Sequence, residues 1–216
     1  MIAHGDIRVV LADDHAMVRE ALAQILQESG CIRVVGQAAD GPGAVDVATR
    51  ARPDVLVLDY SMPGLGAPEI LSSLRQLLPE LKVLVLTVHE NIHYCVQALE
   101  CGAHGYVVKS AAVGELVDAI KAVSVGEVYI SPKVSQKVMQ HLRRPKKDRV
   151  GLEALSQREF ELLRLLGAGM SLKECAERLS ISTSSASTYR ARILEKLNLH
   201  STAEVIRFAL ENDIVG

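Results

Sequence analysis

The sequence predicts an α/β fold, a doubly wound five-stranded parallel sheet, joined to a second, smaller all-α domain. Three observations lead there. Short apolar runs alternate with helical periodicity five times over residues 1–127, and strict β-α alternation builds parallel strands with helices on both faces. The run Val55-Leu56-Val57-Leu58 is continuously apolar, as a strand buried on both faces must be. Beyond a charged, proline-broken stretch at 143–149 the chain carries helix signals and no strand signal.

The elements follow in order. Ile7 to Ala12 reads as a strand, closed by Asp13-Asp14. Val18, Leu22, Ile25 and Leu26 recur at helical spacing, and Gly30 stops that helix. Ile32 to Ala38 is a second strand and Ala44 to Ala51 a short helix ended by Pro53. The central strand ends on Asp59, and Pro63 and Gly64 turn the chain out of it. Pro68 to Leu78 is a helix that starts on a proline, where the missing N–H is harmless. Lys82 to Leu86 is a strand ending on Thr87, and Glu90 to Glu100 a helix closed by Gly102. Gly105 to Val108 is a strand ending on Lys109, and Ala112 to Val125 a helix closed by Gly126. Val134 to Leu142 is a further helical stretch. Residues 128–150 read as an exposed linker between a domain at 1–127 and one at 151–216.

Composition narrows the function classes. About half of the 216 residues are hydrophobic, enough for a full core, and the net charge of -2 gives no global pull toward nucleic acid or membrane. The four cysteines form no C-x-x-C pair, which argues against a disulfide framework or zinc knuckle and fits a reducing cytoplasm. No secretory leader and no membrane-length apolar run is read. With no Trp and two Phe, base-stacking platforms for single strands are not expected.

Asp13, Asp14, Asp59, Thr87 and Lys109 all fall at strand C-termini. In a parallel sheet these ends share one edge, where such folds hold ligands. Carboxylates without imidazole or thiolate suit Mg²⁺. A carboxylate can attack phosphorus, and a lysine and a hydroxyl beside it would neutralise the phosphoryl oxygens. Taken singly, each residue is read more simply as a salt-bridged loop residue.

The opening V-L-A-D-D-H-A-M-V-R, the D-Y-S-M-P-G segment, Thr87 and V-V-K-S at 107–110 resemble a response-regulator receiver domain over residues 6 to about 127. That resemblance implies a flavodoxin-like receiver with Asp59 as phosphoacceptor. It implies Mg²⁺ held by Asp14, Asp59 and the Ser61 backbone carbonyl, with Asp13 assisting through water. Lys109 would pair with the phosphoryl group, Thr87 would move to bond it, and Tyr106 matches the switch aromatic. Ala16 stands where the family often has proline.

In the second domain Gln157 to Gly167, Ser171 to Leu179, Thr183 to Leu197 and Thr202 to Leu210 read as helices. Ser156 with Glu159, and Ser171 with Glu174, have capping-box spacing. A helix, a short turn and a polar helix form a helix-turn-helix pattern, with a generic helical bundle as the plainer reading. The motifs L-S-Q-R-E, G-x-S-x-K-E-x-A and I-S-T...R-x-R-I-L-E-K-L-N-L-H-S resemble the C-terminal domain of NarL/FixJ-type (LuxR-type) regulators. The resemblance implies a recognition helix at Thr183–Leu197 in the major groove of double-stranded DNA. Ser184, Ser187, Thr188, Arg190 and Arg192 are its candidate contacts, with Lys196 toward phosphate. The family often has Lys at Ser184, Val at Ala186, Lys or Arg at Ser187 and His at Tyr189, and residues 151–216 hold eight Lys/Arg against nine Asp/Glu. DNA affinity is therefore expected to depend on pairing. Thr202, Val205, Ile206 and Ala209 give the last helix an apolar stripe, part of which should cover the three preceding helices. The resemblance implies that its exposed remainder, with Val205 placed on it, pairs two modules in a homodimer formed on phosphorylation.

His89-Glu90-Asn91-Ile92-His93 spells H-E-x-x-H, a zinc-peptidase motif, but it starts right after a predicted strand rather than inside a long helix. A phosphohydrolase built on Asp59 lacks a D-x-D pair, since Ser61 fills that place. The expectation is a cytoplasmic transcription regulator, not an enzyme, served by a sensor histidine kinase and free of membrane. The alternatives are a receiver whose helical module binds a protein, and more remotely a zinc hydrolase through His89, Glu90 and His93.

Overall fold

The computed structural model describes residues 6–62, 66–143, 145, 150–212 and 214, with the side chains at 141 and 142 left aside. The expected turn at Pro63 and Gly64, and most of the charged stretch at 143–149, lie outside the described residues. The chain divides into two compact units, Met1–Gln136 and Lys137–Gly216.

The first unit alternates β1 (Ile7–Ala12), α1 (Ala16–Glu28), β2 (Ile32–Ala38), α2 (Gly41–Ala51), β3 (Val55–Asp59), α3 (Ala67–Leu77), β4 (Lys82–Thr87), α4 (Ile92–Glu100), β5 (Gly105–Val108) and α5 (Val113–Ser124). A short β6 (Tyr129–Ile130) follows. The pairings are parallel, in the order β2-β1-β3-β4-β5-β6. Every residue of β3 is buried, because helices cover both faces of the sheet. On one face Val9, Leu11, Val57, Leu84, Leu86 and Val107 join Leu26, Leu116 and Ile120 in a continuous core.

Strand order runs outward from β1 in both directions, so the crevice beside β1 and β3 is the topological switch point. Those two strands end at Ala12 and Asp59. The fold thus aims Asp13 and Asp59 at the place where such sheets bind ligands.

Several helix ends shift by one or two residues from the sequence reading, and two differences are larger. Helix α2 starts at Gly41 rather than Ala44, because the Asp40 carboxylate caps it by accepting from the Gly43 N–H at 2.7 Å and Pro42 lies in its first turn. The sheet has a sixth strand, since β6 lies against β5 with Tyr106 opposite Ile130. Gly105 makes the close pairing possible: a Cβ there would stand 2.5 Å from Leu84 Cδ1 and 3.0 Å from the Tyr129 carbonyl oxygen.

Helix α6 (Pro132–Arg143) spans the boundary between the units. The described residues of the second unit then hold a 3-10 turn (Gly151–Ala154), α7 (Gln157–Gly167), α8 (Leu172–Arg178), α9 (Thr183–Leu197) and α10 (Thr202–Glu211). Both capping boxes form, at Ser156/Glu159 and Ser171/Glu174. Phe160, Leu162, Leu163, Cys175, Ile193, Val205 and Ala209 are fully buried. Val205 and Ala209 therefore form the part of the stripe that covers the module's own core, and Val205 is not on the pairing part where it was expected. The outer face of α10 carries Ala203, Arg207 and Leu210, three to four residues apart.

Candidate functional site

Asp13 leaves the end of β1 and Asp59 ends β3; each is 3 % exposed. Two buried carboxylates side by side need a cation. Lys109, one residue past β5, supplies it: its Nζ lies 2.6 Å from Asp13 Oδ2 and 2.6 Å from Asp59 Oδ2. Burial alone would lower the Lys109 pKa, but hydrogen bonds to the two carboxylates raise it above the usual lysine value. The ammonium is therefore charged across the physiological range.

The remaining oxygens are also ordered. Asp59 Oδ1 accepts from the Ser61 N–H at 3.2 Å, and Asp13 Oδ1 from the His15 N–H at 2.9 Å. Asp14 is partly exposed, with its Oδ1 2.7 Å from His15 Nδ1. Asp13, Asp14, His15 and Asp59 present ligand atoms all within 4.8 Å of one another. His15 was not singled out from sequence; its place directly after the Asp pair was the available signal.

Thr87 closes β4 and is fully buried. Its Oγ accepts from the His89 N–H at 3.1 Å, while the Tyr106 hydroxyl donates to the His89 carbonyl at 2.8 Å. One peptide segment thus joins the two expected switch residues. Tyr106 is 0 % exposed. Burial first, then Cys95, Tyr60 and Tyr94, push its phenol well above the ordinary value, against an opposing hydrogen bond with Thr87. The phenol is neutral and turned inward.

His89 also reaches Ser61 Oγ with its Nε2 at 3.1 Å and stacks on Tyr94 at 4.2 Å. Tyr60 donates to Gln97 Oε1 at 2.6 Å. These contacts to α4 were invisible in sequence, because nothing local marks which residues meet across β3 and α4.

The H-E-x-x-H segment is not a helical metal motif. Asn91 caps α4, its side chain accepting from the His93 N–H at 3.0 Å, so His89 and Glu90 precede the helix. Glu90 pairs with Lys133, and His93 is buried in α4. Among the described residues these three are not in the metal-competent cluster.

In the second unit Ser182 caps α9, accepting from the Ser185 N–H at 3.0 Å. Ala186 and Ile193 anchor the helix in the core. Ser184, Ser187, Thr188 and Arg192 are exposed and recur at helical spacing on one face. Glu195 continues that face, and Arg190 is half-buried at its flank. Lys196 differs from the expectation of a phosphate-facing cation: its Nζ bonds Glu159 Oε2 at 2.7 Å. Glu159 is 1 % exposed and also caps α7. Burial would raise its pKa, but Lys196 and Ser156 together hold it below the usual carboxylate value. No described helix is long and apolar enough to cross a membrane.

Comparison with known proteins agrees with this geometry. Residues 9–121 match the response regulator receiver domain family, and residues 153–209 match the bacterial regulatory proteins of the luxR family. The response regulator GacA of Pseudomonas viridiflava is 33 % identical over 209 residues, covering 97 % of this chain and 98 % of that protein. The crystal structure of response regulator ChrA, of a heme-sensing two-component system, superposes with TM-score 0.56 at 33 % identity, over 98 % of this chain and 100 % of that one. A structure of two RcsB dimers bound to two parallel DNAs gives TM-score 0.63 at 25 % identity, over 96 % and 99 %.

Proposed function

The chain belongs to the two-component response regulators of the NarL/FixJ type, and from that premise we propose that a phosphoryl group on Asp59 governs its dimerisation and DNA binding. The observation that carries this reading is the Lys109 ammonium held 2.6 Å from both Asp13 and Asp59. It neutralises an acidic pocket at the switch point and stands ready for phosphoryl oxygens.

The chemistry is a phosphoryl transfer. An Asp59 carboxylate oxygen attacks the phosphorus of a sensor kinase's phosphohistidine, or of a small acyl phosphate. A new P–O bond forms, the bond to the donor breaks, and imidazole or carboxylate leaves. Lys109 then pairs with the phosphoryl oxygens and Thr87 turns to bond them. Leaving its present bond to the His89 N–H, Thr87 disturbs the segment that also holds Tyr106. The donor set of Asp13, Asp14 and Asp59 is hard oxygen and fits Mg²⁺, with the Ser61 carbonyl as the further ligand. Bound there, Mg²⁺ supplies positive charge to the transferring group.

The receiver extends past the boundary of 127 read from sequence to Gln136, with β6 in its sheet, and residues 151–216 act as the DNA-binding domain. Ser184, Ser187, Thr188 and Arg192 face the major groove of double-stranded DNA, with Arg190 at the flank. The Lys196 ammonium is committed first to Glu159 and adds to DNA affinity only through its exposed side. Phosphorylation pairs two such modules, a reading supported by the solved structure of RcsB dimers bound to DNA. The protein works in the cytoplasm as a regulator rather than an enzyme.

Acetyl phosphate with and without Mg²⁺, followed by intact mass, tests the acceptor. One phosphoryl group on the wild type and none on Asp59→Asn is expected. Equal labelling of both would remove Asp59 from the role.

A further inference from the structure

The start of α6 is bonded to Tyr106 itself, to Val108 beside Lys109, and to Glu90 in the segment that follows Thr87. Ile130 pairs with Tyr106 in the sheet. The Ser131 N–H donates to the Tyr106 carbonyl at 2.8 Å. The Ser131 hydroxyl accepts from the Val108 N–H at 3.2 Å and donates to Glu115. Val108 directly precedes Lys109. On the first turn of α6, Lys133 pairs with Glu90. Glu90 follows His89, whose backbone holds both Thr87 and Tyr106. The helix that begins here crosses the boundary between the two units.

The two attachments differ in strength. Ser131 is 1 % exposed, and losing it would bury the Val108 N–H unpaired. Lys133 is 60 % exposed on its side chain, so its pair with Glu90 is weak and easily broken.

We infer that Ser131 and Lys133 form a two-point clamp that passes the state of the phosphoacceptor to α6. Movement of Thr87 shifts the His89–Glu90 segment and releases Lys133, while Ser131 keeps the helix start fixed to β5. The first turn of α6 then loosens on its Lys133 side without leaving the sheet. This rests on the assignment of Asp59 as phosphoacceptor.

Hydrogen exchange read together with intact mass on the same full-length sample separates the two claims. The reporters are the amides of Val134 and Ser135, both bonded to the Ser131 carbonyl at 2.9 Å. Phosphorylation by acetyl phosphate and Mg²⁺ should speed their exchange about two- to fivefold, the range set by losing one exposed ion pair. Lys133→Ala should show the same increase without phosphorylation and no further increase with it. Glu90→Gln should behave like Lys133→Ala, which guards against an effect peculiar to one variant. Fully phosphorylated wild type with unchanged exchange at these amides overturns the clamp and leaves the acceptor assignment standing. Unchanged exchange in the unphosphorylated Lys133→Ala and Glu90→Gln variants also overturns it. A wild type that takes up no phosphoryl group removes the acceptor assignment and the clamp together.

Discussion

Lys109 spans two carboxylates that have almost no contact with water, so removing it leaves two negative charges facing each other. Lys109→Ala should lower the melting temperature, and Mg²⁺ should restore more stability to the variant than it adds to the wild type, since the ion takes over the neutralisation. It should also lose phosphorylation-driven dimerisation. Thermal melts across a Mg²⁺ titration check the first point; equal Mg²⁺ effects on both proteins would contradict it. Lys196→Ala leaves Glu159 buried without its cation and should cost about 2 kcal/mol of stability in the helical module. The sign follows from the lowered Glu159 pKa. A depressed carboxylate pKa contributes stability that is present above the ordinary value of 4.5 and lost as pH falls through the folded one. The gap between wild type and variant in denaturant titrations should therefore be full at neutral pH and shrink below about pH 4.5. A pH-independent gap would dissociate the ion pair from the stability. Sequence could place Asp13, Asp59, Thr87 and Lys109 on one edge, because each ends an apolar run and parallel strands end together. It could not show one ammonium serving two carboxylates, nor Lys196 committed to Glu159, because those are contacts between residues far apart in the chain.

Elements with a long repeating pattern were readable, and those defined by a few contacts were not. β3 announced itself through four consecutive apolar residues, whereas β6 is two residues long and has no period to detect. The start of α2 was hidden by Gly41 and Gly43, although Asp40 and Pro42 were the available signals. In α10 the apolar stripe was real and in part covers the core as expected, but Val205 was placed on its pairing part: a module this small needs Val205 and Ala209 for its own interior. Val205→Glu should therefore unfold the module. Leu210, 58 % exposed, is the position that tests pairing. Leu210→Glu should keep the far-UV circular dichroism and the phosphorylation of the wild type, yet weaken dimerisation by about tenfold or more. An unaltered dimer constant would place the pairing face elsewhere. On α9, Arg192→Ala should lower affinity for all DNA sequences and reduce the salt slope by about one unit; gel-shift titrations at several salt concentrations measure it.

On the proposed function, a charge added at one sheet edge controls a module that carries little positive charge of its own. With eight Lys/Arg against nine Asp/Glu in residues 151–216, and Lys196 tied to Glu159, a single copy has few cations to give to phosphates. Two copies on one duplex double that number, and the second contact becomes intramolecular. On the proposed function, pairing is the step through which phosphorylation acts, and Asp59 is where it begins. The two-domain plan was legible because β-α alternation stops abruptly and the helical motifs follow, but residues as far as Gln136 belong to the first unit. That extension includes the β5–β6 pairing, which two residues of strand are too few to announce. The most direct test titrates a two-half-site DNA with wild type and Asp59→Asn, each treated with acetyl phosphate and Mg²⁺, with oligomeric state followed in parallel. The wild type should dimerise and bind at least about tenfold more tightly after treatment, while Asp59→Asn should change in neither respect. Equal binding by both treated proteins would contradict control of this regulator through Asp59.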